Sequence, residues 1–242
     1  MSQTVERRGP AANRLLAALP RKDFDQLRLK LKQVPLTFTT VLYEPGEIIR
    51  KIYFPISGVV SLLSDAGQRS TLEVGLVGRE GIVGLPIFLG VKRSQTRVVV
   101  QGEGSAMSLA ASALKKECES GGSLSRLLLR YAHSRLTQVG QAAACNRYHA
   151  LDARLARWLL MTQDRVETEQ FQMTQDFLSH MLGVRREGVN RAAGILQKRK
   201  LISYSRGTLI ILDRPALEKL SCLCYRIIKD EAADTRPALA VA

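Results

Sequence analysis

Apolar positions change their spacing as the chain proceeds. Over residues 13–32 (NRLLAALPRKDFDQLRLKLK) they recur at helical intervals, split by Pro20 into two short helices. Over residues 35–109 the runs shorten and enrich in Val, Ile and Leu, between turns at Glu44-Pro45-Gly46, Ser57-Gly58, Asp65-Ala66-Gly67 and Gly102-Glu103-Gly104. Many short strands at near-regular spacing predict a β-sandwich or barrel. Gly121 and Gly122 end that texture, and a long helix is predicted over about 124–146. Within it Leu129, Ala132, Leu136, Val139, Ala143 and Asn146 alternate at spacings of three and four, which is a heptad seam. A core-facing stripe would give the same pattern. Leu127, Leu128 and Tyr131 lie on another side and are expected to pack on the β-rich part. A second helix over 150–166 carries Leu151, Leu155, Trp158, Leu159 and Met161, with Trp158 read as core.

The stretch over residues 173–191, MTQDFLSHMLGVRREGVNR, then predicts a short helix, a turn at Gly183 and a second helix opening on Arg185 and Arg186. Thr174 is the expected N-cap of the first helix, with Asp176 in its first turn. Cations at a helix N-terminus are disfavoured by roughly 0.3–1 kcal/mol each, so the two arginines break a local rule that a polyanion would compensate. Projected at helical pitch, Val189, Ala192, Ala193, Ile195 and Leu196 share one side. Arg186, Glu187, Asn190, Arg191, Gln197 and Lys198 share the other. Those outward residue types are the ones that read major-groove edges, although a solvated helix face would look similar. Short β-type runs at 202–204 and 208–212 around Arg206-Gly207 predict a hairpin, which makes the unit a winged helix.

Charge and chemistry narrow the choice of partner. The 242 residues carry a formal charge of +14. That length suits two modest domains. Such basicity implies a polyanion, either nucleic acid or an acidic membrane surface. The excess is spread along the chain, so the placement of single arginines says more than the total. Cys118, Cys145, Cys222 and Cys224 show no CxxC…CxxC spacing and are expected to be spectator thiols, with no metal site. No Ser/His/Asp, Cys/His or paired-carboxylate arrangement stands out, and an enzyme is not expected. No apolar run approaches the roughly 20 residues of a membrane span, nor is there a secretory h-region, so a cytoplasmic protein without membrane contact is expected.

Residues 148–221 resemble the DNA-binding domain of the Crp/Fnr family of bacterial transcription regulators, through TQDFLSHMLGVRREGVNR and LISYSRGTLIILDRPALEKL. YEPGEIIRKIYFPISGVVSLL is similar to the opening of the cyclic-nucleotide-binding β-roll that precedes that domain in the family. The resemblance thus covers about residues 13–221. It implies an α+β fold: a β-roll sensor domain over 13–120, a dimerisation helix over 121–146, a winged helix-turn-helix over 147–221 and a C-terminal tail over 222–242. It implies a homodimer paired through Leu129, Ala132, Leu136, Val139 and Ala143 on a near-palindromic site in double-stranded DNA, with RNA polymerase as a further partner. Arg186, Glu187 and Arg191 occupy the family's base-reading positions, with Asn190 in support. Thr174, Gln175, Arg185, Lys198, Lys200 and Arg206 are candidates for the DNA backbone. Arg185 stands where the family usually has a capping Ser, and Gly188 where Thr or Ser is common.

The family's ligand cassette is altered here. Gly84 of its Gly-Glu pair remains, but Leu85 replaces the ribose-binding Glu, while Arg93 and Ser94 stand where an anion would be held. A cyclic nucleotide is therefore not expected. Haem is not expected either, since His133, His149 and His180 all lie outside the β-roll. An iron–sulfur cluster is not expected without N-terminal cysteines. The expectation is a protein without cofactor, open to an unknown small effector. The alternative is a cyclic-nucleotide-responsive signalling protein whose main output is not DNA binding.

Overall fold

Alternating β-branched and polar residues between glycine turns draw residues 32–110 into a sheet. The computed structural model describes residues 9–65, 67, 71–166 and 170–234. Ala66 of one expected turn, and residues 235–242 of the expected tail, lie outside them. The chain divides into two units, one holding the residues up to Leu62 and Val77–Ser134, the other Leu63–Leu76 and Arg135–Asp234.

The first unit begins with helices α1 (Arg14–Ala17) and α2 (Arg21–Arg28), separated by Pro20 as expected. Strands β1 (Lys32–Leu36), β2 (Val41–Tyr43), β3 (Lys51–Asp65) and β4 (Thr71–Val77) follow, then the short helix α3 (Leu85–Phe88), β5 (Arg97–Ala110) and α4 (Ala111–Cys118). The sheet order is β1-β5-β3-β4, with β2 also on β5. β1 and β5 run antiparallel from Lys32 opposite Ser108 to Leu36 opposite Gly104. Ile52, Phe54, Ile56, Val60, Val98 and Val100 form the buried centre. Asn13 locks the N-terminal helix onto this roll. Its carboxamide oxygen accepts from the Leu15 and Leu16 amides at 3.1 and 3.2 Å, and its Nδ2 donates to the Pro55 and Gly81 carbonyls at 2.9 Å. Helix α5 (Ser123–Tyr148) contributes Leu124, Leu127, Leu128 and Tyr131 to the same core, the side expected from the sequence.

The second unit takes α5 from Arg135 onward. It continues through α6 (Leu151–Val166), β6 (Gln170–Gln172), α7 (Gln175–Leu182), α8 (Arg186–Lys198), β7 (Ile202–Ser205), β8 (Thr208–Ile211), α9 (Arg214–Leu220) and α10 (Leu223–Asp234). Leu155, Trp158 and Leu159 of α6 are buried, with Trp158 only 2% exposed. The expected hairpin is β7–β8, and Arg206 and Gly207 both adopt positive φ (50° and 79°), as a two-residue type I′ turn requires. A third strand, β6, pairs with β8; three residues of QFQ are too short to announce a strand by alternation. Arg214 ties the last elements together, bonding Asp164 at 2.6 Å and Glu218 at 3.0 Å. Tyr225 donates to the other Asp164 oxygen at 2.9 Å.

The end of β3 and most of β4 (residues 63–65 and 71–76) belong with this second unit. Trp158 Nε1 donates to Glu73 Oε1 at 2.9 Å, and Arg135 Nη1 donates to the Leu76 carbonyl at 2.9 Å. Leu72 packs against the α7–α8 turn so closely that a Cβ on Gly183 would lie 2.8 Å from its Cδ1.

Candidate nucleic-acid interface and thiol cluster

Helix α7 starts on Thr174, whose Oγ1 accepts from the Phe177 amide at 3.0 Å, and ends on Gly183 in the left-handed region (φ 61°, ψ 42°). Both features follow the sequence reading, because a sharp interhelical turn needs a residue without Cβ strain. Helix α8 is divided cleanly. Val189, Ala192, Ala193 and Leu196 are buried, while Arg186, Glu187, Asn190, Arg191, Gln197 and Lys198 are exposed. Arg185 occupies the N-cap with extended backbone and no side-chain cap. Gly188 has a packing reason: a Cβ there would lie 3.1 Å from Leu151 Cδ2, where α8 crosses α6.

Two contacts organise the exposed face. Arg186 Nε donates to Gln175 Oε1 and Gln175 Nε2 donates to Asn190 Oδ1, each at 3.2 Å. Gln175 thereby links residues four apart on α8 and fixes their direction, a role that residue types alone did not reveal. Beyond α8 the backbone makes a Schellman turn. The Lys200 amide donates to the Gln197 carbonyl at 2.8 Å and the Leu201 amide to the Leu196 carbonyl at 3.0 Å. Lys200 itself sits at φ 58°, a place usually given to Gly. Arg206 is exposed at the wing tip.

The remaining sequence-selected residues fall elsewhere. On α5, Leu129, Leu136 and Val139 are 59%, 73% and 42% exposed, Ala143 is exposed and Ala132 half-buried. Gly84 is left-handed at the start of α3, packed on Ile52 and Tyr43, with Leu85 next to it. Arg93 Nη1 donates to the Gly46 carbonyl at 2.6 Å, and the buried Ser94 donates its hydroxyl to the Thr96 carbonyl at 2.7 Å. No helix among the described residues is long and apolar enough to cross a membrane.

Two expectations from the sequence are corrected. Ligand atoms of Cys145, His149, Cys222 and Cys224 all lie within 4.8 Å of one another, a donor set suited to a metal ion. Cys145 and His149 share one face at the end of α5, while Cys222 and Cys224 flank the start of α10. The fold joins two spacings that look like nothing separately. The three thiols are buried and His149 is the most open member. The Cys222 thiol, 3.4 Å away, and then the Arg157 charge favour the Cys145 thiolate, holding its pKa below the ordinary value. The same pairing and burial push the Cys222 thiol up. Cys and His are also the residues haem iron accepts as axial ligands, so the expectations against a metal site and against haem fall together.

A helix-turn-helix followed by a wing defines a DNA-binding unit. Residues 153–220 match the family model of the Crp-like helix-turn-helix domain. Several solved structures resemble most of the chain. FixK2 from Bradyrhizobium japonicum is 15% identical with a TM-score of 0.67, over 79% of this chain and 98% of its own. A putative transcriptional regulator of the Crp/Fnr family from Eubacterium rectale is 18% identical with a TM-score of 0.63, over 85% and 96%. A CooA mutant from Carboxydothermus hydrogenoformans is 13% identical with a TM-score of 0.57, over 80% and 89%. No curated protein sequence matches the chain. Residues 153–220 are thus similar to Crp-like helix-turn-helix domains, and most of the chain shares the fold of these solved structures.

Proposed function

We propose that the chain binds a near-palindromic site in double-stranded DNA as a homodimer and reads it through α8. The observation that carries this reading is the divided surface of α8, with Arg186, Glu187, Asn190 and Arg191 exposed and apolar residues opposite. Arg pairs with guanine, Asn with adenine and Glu accepts from cytosine, so this face reads base edges. The Gln175 bridge holds Arg186 and Asn190 before DNA arrives and lowers the entropy lost on binding. Thr174, Gln175, Arg185, Lys198, Lys200 and Arg206 contact the DNA backbone around it. Arg206 and Lys200 support that role through their cost. Each is a cation in a left-handed conformation, disfavoured by roughly 1–2 kcal/mol for a residue with Cβ. Strain of that kind collects at functional sites.

The exposed seam of Leu129, Leu136, Val139 and Ala143, with Ala132 beside it, supports pairing of two copies through α5. The paired recognition helices then enter successive major grooves about 34 Å apart. In functional terms residues 13–120 form the sensor domain, 121–146 the dimerisation helix and 147–221 the DNA-binding domain, followed by the tail 222–242. Leu85, in place of a ribose-binding carboxylate, supports a sensor that does not take a cyclic nucleotide. RNA polymerase is the further partner on the promoter.

Selection of binding sites from a random DNA library tests the reading. An inverted repeat is expected, and recovery of no preferred sequence overturns it. Arg186→Ala or Glu187→Ala should cost about 1–3 kcal/mol on the selected site and relax one position per half-site. Equal loss on selected and random DNA would sink the base-reading assignment. Leu136→Glu should convert the dimer to monomer in sedimentation equilibrium, and an unchanged mass would remove the α5 interface.

A further inference from the structure

We propose that Cys145, His149, Cys222 and Cys224 bind one zinc ion, which staples the end of α5 to the start of α10. Three thiols and an imidazole are a zinc donor set, and four protein ligands leave no open position, as in structural sites. In a tetrahedral site with zinc–ligand bonds of about 2.0–2.3 Å, donors stand roughly 3.5–3.8 Å apart. Cys145 Sγ and Cys222 Sγ are 3.4 Å apart, and Cys224 Sγ and His149 Nδ1 are 3.3 Å apart. Insertion of the ion therefore widens these two pairs by tenths of an ångström and draws together the more distant donors of the set, all of which lie within 4.8 Å of one another. All four ligands lie in the unit that carries α8, so the staple braces the elements that hold the DNA-binding face.

The surroundings have the charge such a site needs. Zinc with three thiolates and a neutral imidazole carries a net charge of −1. Arg154 and Arg157 are 9% and 7% exposed. The Nε of each is buried without a hydrogen-bond partner among the described residues. Buried cations left short of partners are costly unless a negative group lies near. Arg157 lies close to Cys145, and Arg154 close to Cys145 and Cys222, so both guanidinium groups are placed to balance that charge. Gln141 Nε2 donates to Cys224 Sγ at 3.0 Å, the kind of outer contact that orients a metal ligand. Cys222 and Cys224 also stand at the N-terminal end of the twelve-residue helix α10, where its dipole favours thiolates.

The full-length chain decides the matter. Expressed with zinc supplementation and purified under reductant, it should hold one zinc per chain by elemental analysis. Exchange for Co(II) should give tetrahedral visible bands and a thiolate-to-cobalt charge-transfer band. Cys222→Ser should abolish that band, and Gln141→Ala should weaken zinc about 10–100-fold against a chromophoric chelator. Cys118→Ser, outside the cluster, should leave stoichiometry and spectrum unchanged. His149→Ala replaces the most open ligand and keeps the test valid if Cys222→Ser does not fold. Chelation should lower the melting temperature of the parent chain and not that of His149→Ala. Metal-free reduced protein after supplementation, a cobalt spectrum without thiolate charge transfer, or bound iron or haem in place of zinc each overturns the proposal. Zinc retained by a Cys222→Ser, Cys224→Ser double variant does so too. None of these readouts depends on DNA binding.

Discussion

Arg93 in the β-roll and Arg206 in the wing are both exposed, and the protein holds them in opposite ways. Arg93 gives its guanidinium to the Gly46 carbonyl at 2.6 Å, and its neighbour Ser94 gives its hydroxyl to the Thr96 carbonyl. Arg206 sits at φ 50°, and among the described residues its side chain makes no hydrogen bond. The contrast extends to the regions around them. The polar groups selected in the β-roll are committed to their own backbone, so an incoming anion would have to displace a bond already made. In the second unit Arg185 caps nothing, and Lys200 and Arg206 sit in backbone conformations that favour glycine. A surface that keeps cations without internal partners, at a cost to its own stability, is arranged for something outside the molecule.

Residues 63–65 and 71–76 of β3 and β4 are the place to press that division hardest, because their strands belong to the β-roll sheet yet group with the second unit. Trp158 is buried and donates to Glu73 of β4 at 2.9 Å. Trp158→Ala should destabilise the second unit by about 3–5 kcal/mol, read by circular dichroism in urea. A loss below about 1 kcal/mol would mean that β4 and α6 are not one packed body. Trp158→Phe, which keeps most of the apolar volume and loses the hydrogen bond, should cost less.

The same division explains what the sequence could announce. Helical and strand periodicities report burial along a segment, so the β-roll texture, α5, the α7–α8 turn and the β7–β8 hairpin were legible, as was the amphipathic split of α8. Contacts between distant segments were not. Nothing in GVRREGVNR indicates that Leu72 lies against Gly183. The spacing of Gln175 from Asn190 likewise does not betray a hydrogen bond. The thiol cluster was missed for the same reason: Cys145 and His149 make one helical face, and Cys222 and Cys224 one turn, yet only folding joins them. The readable signal was an i, i+4 Cys/His pair together with a Cys-x-Cys pair in one chain. Buried Arg154 and Arg157 were equally hidden, because an arginine on an amphipathic helix normally faces solvent.

Gly183 sharpens the contrast at the next level of effect. It combines φ 61° with a Leu72 methyl that a Cβ would meet at 2.8 Å. Gly183→Ala should cost roughly 1–2 kcal/mol for the left-handed backbone, plus the movement of a flexible Leu72 side chain. Gly183→Asn tolerates that backbone better, so the difference between the two variants in thermal melts separates conformational strain from crowding. Equal melting temperatures for both variants would assign the cost to Leu72 alone.

Lys200 gives a prediction with two signs. Lys200→Gly relieves a left-handed lysine at the α8 terminus and should stabilise the chain by about 1 kcal/mol. The same change should weaken binding to every DNA sequence and reduce the salt dependence of affinity by about one unit of slope. Denaturation and salt-titrated gel shifts read the two effects separately. A stabilised protein with undiminished DNA affinity would show that the strain at Lys200 serves no contact with phosphate.

Arg93 should give the smallest effect, and the comparison depends on its being small. Its guanidinium is exposed and bonds one carbonyl, so Arg93→Gln should change stability by no more than about 0.5 kcal/mol. Its removal should leave DNA affinity at fixed salt unchanged, because nothing in the α8 face depends on it. Inorganic phosphate supplies the discriminating measurement. If Arg93 is spent on Gly46, phosphate should raise the melting temperatures of the parent chain and of Arg93→Gln equally, through the basic surface at large. A shift that the parent shows and Arg93→Gln lacks would mean that the Gly46 bond opens for an anion. The β-roll would then hold its arginine in reserve much as the wing holds Arg206, and the distinction between the two regions would be one of degree.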